Sequence, residues 1–262
     1  MPLFALTLLC AAFGGIASAA LAVVLLWIPE PRAARLLPHF VSFATGALLG
    51  AALLALLPEA IAGAGVGGAH AIGLALVTGL GVFFVIEKLV LWWHSEDGHA
   101  DHDRALHAHG ARERASGVLV LVGDSVHNAL DGVLIAAAFL TDRPLGLVTT
   151  LAVAAHEIPH RVGDFAVLVH AGFGRRRALV LNLATGVAAV IGAAVAWLAL
   201  KRSLGMLPYA LAFAAAGFLY IAVAGLIPGL HRRADPRTSA VQVLLIALGV
   251  LVIAMAGRLA GR

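Results

Sequence analysis

Cysteine is almost absent from this 262-residue chain: there is one, Cys10, inside an apolar run. Without a second thiol there is no internal disulfide framework, and no cysteine-rich zinc site can be built. Cys10 itself reads as a small packing residue. Charge is equally scarce, at 12% of residues against 61% hydrophobic, a balance too apolar for a soluble globular protein of this length. The remaining class is an all-α polytopic membrane protein. Its basic excess lies in short connecting segments and no nucleic-acid motif occurs, so nucleic acid is not an expected partner. No Lys or Arg precedes Arg32, so the amino-terminal run lacks the positive flank of a secretory signal. It continues to Ile28, long enough to cross the bilayer, and reads as a retained first span.

Apolar runs bounded by charge, glycine or proline predict eight transmembrane helices in one domain, residues 1–262, at 3–28, 37–63, 69–93, 116–140, 145–171, 178–200, 206–230 and 239–259. Loops after the odd-numbered spans hold Arg32, Arg35, Arg104, Arg112, Arg114, Arg175, Arg176, Arg177, Arg232, Arg233 and Arg237; the opposite loops hold only Arg143, Lys201 and Arg202. The positive-inside rule therefore puts the first set in the cytoplasm and both termini outside it, in what is expected to be a bacterial inner membrane. One loop, 94–115, is long. It carries His94, His99, His102, His107 and His109 among Glu96, Asp97, Asp101 and Asp103, and reads either as a weak divalent-ion tract or as a solvated linker.

Two stretches place ionisable groups where hydrocarbon should be: His127-Asn128-Ala129-Leu130-Asp131-Gly132 and, about thirty residues on, His156-Glu157-Ile158-Pro159-His160. Such groups cost roughly 2.5 to 3.5 kcal/mol each at membrane depth and normally serve an ion or substrate path. At helical spacing His127 and Asp131 share a face, as do His156 and His160, with Asn128 and Glu157 one residue round. A short connection at 141–144 makes the two helices antiparallel neighbours and matches the depths of the clusters. Imidazole with carboxylate and no thiolate suits a divalent metal such as zinc rather than a closed structural site. Pro159 removes a backbone donor and predicts a kink lining a polar cavity. Asp124 and Asp164 lie on the cytoplasmic side of the clusters, either as an exit path or snorkelling toward polar surroundings.

These residues resemble the ZIP (Zrt/Irt-like) family of divalent-metal transporters, especially its HEIPHE-bearing branch. Gly123-Asp124-Ser125-Val126-His127-Asn128-Ala129-Leu130-Asp131-Gly132 and His156-Glu157-Ile158-Pro159-His160, followed by Gly163-Asp164-Phe165-Ala166, match its fourth- and fifth-span signatures. Phe83-Phe84-Val85-Ile86-Glu87-Lys88 and Leu56-Leu57-Pro58-Glu59-Ala60 look like its third and second spans. The resemblance implies spans two, four, five and seven as a metal-carrying bundle against a scaffold of one, three, six and eight, in a homodimer. It implies a first ion on His127, Asp131, His156 and His160, a second on Asn128, Asp131, Glu157 and His160, and transport into the cytoplasm by alternating access. Zinc is the expected cargo, with iron, manganese and cadmium as alternatives; no prosthetic group is expected.

The sequence departs from that pattern at Arg161, where the motif has glutamate. Arg161 either pairs with Glu157, substituting for the second ion, or points elsewhere. Ala51, Ala55, Gly225 and Gly229 stand where route ligands are usual. A metal-binding sensor that moves no ions therefore remains an alternative. His156-Glu157-x-x-His160 also fits the zinc-protease pattern, with Leu130-Asp131-Gly132 as its aspartate motif. That aspartate precedes the histidines rather than following them, and Pro159 disturbs the turn a protease uses, so an enzyme is not expected.

Overall fold

In the computed structural model, residues 2–18, 20, 30–96, 105–231 and 235–259 are described, and every regular element among them is helical. The chain opens with α1 (Leu3–Ala12), which runs into a π turn (Phe13–Ala17); the end of the expected first span, 21–28, lies outside the described residues. α2 (Glu30–Gly50) passes through Pro38, loosens into a π turn (Ala51–Leu56) and resumes as α3 (Leu57–Ala64). Gly65 and Gly67, at φ of 70° and 87°, turn the chain into α4 (Ala69–Glu96) in a backbone region that only glycine adopts freely. There follow α5 (Ala105–Thr141), α6 (Arg143–His170), α7 (Arg175–Thr185) and α8 (Val187–Lys201). The chain ends with α9 (Leu207–Tyr220), a π turn (Ile221–Leu226), α10 (Ile227–His231) and α11 (Pro236–Leu259).

The two later π turns have a common local cause. Each ends two residues before a proline, Pro58 or Pro228, whose missing N–H leaves the carbonyl four residues back, on Leu54 or Ala224, without its helical donor. Ala51, Ala55 and Gly225 sit inside these loosened turns.

Six helical stretches among the described residues are long and apolar enough to cross a bilayer: Arg35–Ala64, Ala69–Leu89, Val120–Thr141, Arg175–Lys201, Leu204–His231 and Pro236–Arg258; Leu3–Ile16 is a shorter apolar one. This is an all-α polytopic membrane protein. α6 is not among the six although its 28 residues would reach about 42 Å at 1.5 Å per residue. His156, Glu157, His160, Arg161 and Asp164 lower its hydropathy, so the helix that looks least like a span is the one richest in ionisable groups. The 94–115 segment also differs from a plain loop: 94–96 and 105–115 are helical, and 97–104 lies outside the described residues. Hydropathy marks where lipid ends, whereas a helix rich in Ala, Arg and Glu continues into water.

Two features fix the helices around the clusters. Asp142 caps α6, its carboxylate accepting the Leu145 N–H at 2.6 Å, so α5 turns directly into an antiparallel neighbour. On the other side, a Cβ at Gly132 would strike the Ala189 carbonyl and one at Gly192 the Ala129 carbonyl, so α5 and α8 meet backbone to backbone. The interior is filled by Leu48, Leu56, Ile135, Phe139, Leu145 and Phe218, all fully buried, and by alanines between them.

Candidate metal centre

α5 and α6 bring four side chains to one point. His127 Nε2 lies 3.3 Å from His156 Nε2, 3.7 Å from Asp131 Oδ2 and 3.5 Å from Glu157 Oε1. His156 Nε2 lies 3.3 Å from Asp131 Oδ2 and 3.8 Å from Glu157 Oε1. Ligands at about 2.0 to 2.1 Å in a tetrahedron around zinc stand roughly 3.3 Å apart, so these spacings fit the edges of such a shell, slightly expanded. Asp131, His156 and Glu157 are buried, while the His127 side chain is 19% exposed.

Two details tune the donors toward a cation. His156 Nδ1 sits 3.1 Å from the Ala152 carbonyl oxygen, which can only accept, so Nδ1 carries the proton and Nε2 presents its lone pair. Asp131 Oδ2 and Glu157 Oε1 are buried with no hydrogen-bond partner among the described residues. A buried carboxylate oxygen without a donor is costly unless a positive charge meets it.

His160 takes a different place from the one expected. Its side chain is 49% exposed, with Nε2 4.0 Å from Asp164 Oδ2 and its ring centroid 5.3 Å from that of His127. Glu157 completes the first set instead. The four-residue spacing sets which residues share a face, but a glutamate one residue round is long enough to swing in, and its other oxygen, Oε2, is held 2.8 Å from Arg161 Nε. Nor do Asn128, Asp131, Glu157 and His160, the set implied for a second ion, converge: the groups with matched donor atoms are His127, Asp131, His156 and Glu157, and separately Asp124, His160 and Asp164.

Arg161 explains the difference. It is fully buried and points inward. Nη1 donates to Asp124 Oδ2 at 2.7 Å, to the Asn182 carbonyl at 2.9 Å and Oδ1 at 3.1 Å, and to the Thr185 hydroxyl; Nη2 donates to Asn128 Oδ1 at 2.5 Å. Asn128 Nδ2 in turn donates to Asp124 Oδ1 at 2.9 Å. Both oxygens of Asp124 are therefore engaged, one by Asn128 and one by Arg161. Asp164 stands beside the exposed His160. Sequence reasoning missed Asn182 and Thr185; the available signal was two polar residues three apart in an otherwise apolar span.

No residue of spans two and seven joins these donor groups among the described residues. Ala51 and Ala55 are buried, Gly225 and Gly229 are exposed, and the Phe218 ring lies edge-on to His156 at 6.1 Å between centroids.

The family model described as ZIP Zinc transporter matches residues 94–257, which include every residue of this centre. The chain is 35% identical over 260 residues to the zinc transporter ZIP13 of Homo sapiens, covering 84% of this chain and 70% of that one. It is 36% identical over 231 residues to ZIP13 of Pongo abelii, covering 84% and 66%, and 32% identical over 325 residues to the zinc transporter SLC39A7 of Homo sapiens, covering 92% and 69%. The chain thus spans about two thirds of the length of the curated relatives it matches.

Proposed function

This chain belongs to the ZIP family of zinc transporters, and from that premise we propose that it carries a divalent metal ion, zinc first, across the membrane on His127, Asp131, His156 and Glu157. The observation that carries the reading is the convergence of two imidazole nitrogens and two donor-free carboxylate oxygens at tetrahedral spacing inside a membrane helix pair. Two neutral imidazoles supply affinity for first-row metals, and two carboxylates neutralise the charge of the ion; iron, manganese and cadmium fit the same donors less selectively.

The path follows from helix direction. α6 runs from the outer face toward the arginine-rich cytoplasmic side, so His160 and Asp164 lie one and two turns further in than His156. An ion admitted from outside is held by the four ligands. His127, the most exposed of them and already beside the His160 ring, then passes it to the His160–Asp164 pair and on to the cytoplasm. Alternating access opens the site to one face at a time. The wider arrangement in this reading is eight spans with both termini outside and a homodimer, and the family membership argues for a transporter and against the zinc-protease alternative.

Zinc uptake into proteoliposomes tests this. Wild-type protein should load the vesicles, and His127→Ala and His156→Ala should abolish uptake. Zinc binding without flux in the wild type would instead make the protein a sensor and overturn the proposal.

A further inference from the structure

Charge around the centre is not evenly used. Asp124, Asp131 and Glu157 are three buried carboxylates, and Arg161 is the fully buried cation among them. With neutral histidines these four groups alone, Asp164 standing apart beside the exposed His160, leave a net charge of −2, which one divalent ion brings to zero. A second ion would leave +2 in a membrane interior, where uncompensated charge is expelled or rearranged. Two of the four residues implied for a second ion, Asn128 and Glu157, are also engaged. Asp124 Oδ2, Asn128 Oδ1 and Glu157 Oε2 all face the guanidinium, at 2.7, 2.5 and 2.8 Å.

The guanidinium is not free to leave. Asn182 and Thr185 on α7 accept from Nη1, Asn182 Nδ2 donates back to the Arg161 carbonyl at 2.9 Å, and the Thr185 hydroxyl donates to the Asn182 carbonyl at 2.7 Å while accepting from Arg161. The head group is thereby pinned between α5, α6 and α7: Nη1 and Nη2 donate hydrogen bonds, and Nε stands in an ion pair with Glu157 Oε2.

We infer that Arg161 is a fixed internal cation that limits the buried centre to one divalent ion, and that Asn182 and Thr185 are the positioning residues that hold it there. This rests on the proposed binding set, and it adds a stoichiometry and two residues to it. By fixing Glu157 Oε2, the clamp also aims Oε1 at the imidazoles, so loosening the clamp weakens the remaining ion rather than admitting another.

The test is the number of zinc ions bound per chain by full-length protein in lipid nanodiscs. It uses a background in which His94, His99, His102, His107 and His109 are changed to Gln, so that the histidine tract adds none. The expected count is one, and X-ray absorption of the zinc-loaded protein should show no metal–metal shell near the roughly 3.5 to 4 Å of two-metal sites. Arg161→Glu makes four carboxylates and no cation, and should bind two. Thr185→Val should lower zinc affinity about tenfold with the count unchanged, and Thr185→Ser should restore it. A wild-type count of two, or a metal–metal shell, overturns the inference and leaves the transport reading intact. A count of one in a folded Arg161→Glu variant overturns the role of Arg161, and unchanged affinity in Thr185→Val overturns that of the clamp. No bound zinc at all removes the proposed binding set, and this inference with it.

Discussion

At the scale of single residues, those proposed to hold an ion are distinct from those proposed to pass it on. Asp131 Oδ2 and Glu157 Oε1 have no hydrogen-bond partner among the described residues, so Asp131→Asn should weaken zinc binding by about a hundredfold or more, beyond the effect usual for groups that only orient a ligand, as read by competition with a fluorescent chelator. His160 stands apart and half-exposed beside Asp164. His160→Ala should slow uptake several-fold while equilibrium affinity stays within about threefold; an equal loss of both would put His160 back among the ligands. Binding zinc requires neutral imidazole, so protons compete with the ion for each histidine ligand. With two such ligands affinity should fall steeply from pH 7 to 5, and a flat titration contradicts the histidine ligation. Helical spacing made the approach of His127 to Asp131 legible in the sequence, because side chains four apart on one helix share a face. It could not choose between Glu157 and His160, a choice made by Arg161 drawing on the far oxygen of Glu157, nor reveal Asn182 and Thr185, which reach the site only across a helix interface.

At the scale of helices, the arrangement depends on how closely α5 approaches its neighbours. Gly132 and Gly192 let the α5 and α8 backbones touch, and Gly132→Val should cost about 1 to 3 kcal/mol as an overpacked contact, measured as a lowered unfolding temperature in detergent. Because Asp131 is the next residue, the same variant should weaken zinc binding. Existence and order of the helices follow from hydropathy and punctuation, yet their ends do not. α5 extends well beyond the apolar segment 116–140, and α6 carries so many ionisable residues that its spanning character rests on its neighbours and caps rather than on composition. The π turns at Ala51–Leu56 and Ile221–Leu226 were foreshadowed by Pro58 and Pro228, but a missing donor states only that a turn must relax, not how.

At the scale of the whole molecule, direction depends on orientation. With Cys10→Ala as background, Arg176→Cys should be labelled by an impermeant thiol reagent only from the cytoplasmic side and Ser203→Cys only from outside; the reverse pattern inverts the proposed transport direction. The family and the membrane class were legible because both reside in local sequence, in two motifs and in composition. What the departure at Arg161 does was not, since its consequence depends on Asp124 and Asn128 from α5 and Asn182 and Thr185 from α7 meeting one guanidinium. The account stands on one buried ion between α5 and α6, and anomalous scattering at the zinc edge from zinc-loaded protein locates it. The predicted result is a single peak about 2 Å from His127 Nε2, His156 Nε2, Asp131 Oδ2 and Glu157 Oε1. A peak confined to His160 and Asp164, or none between these helices, would contradict it.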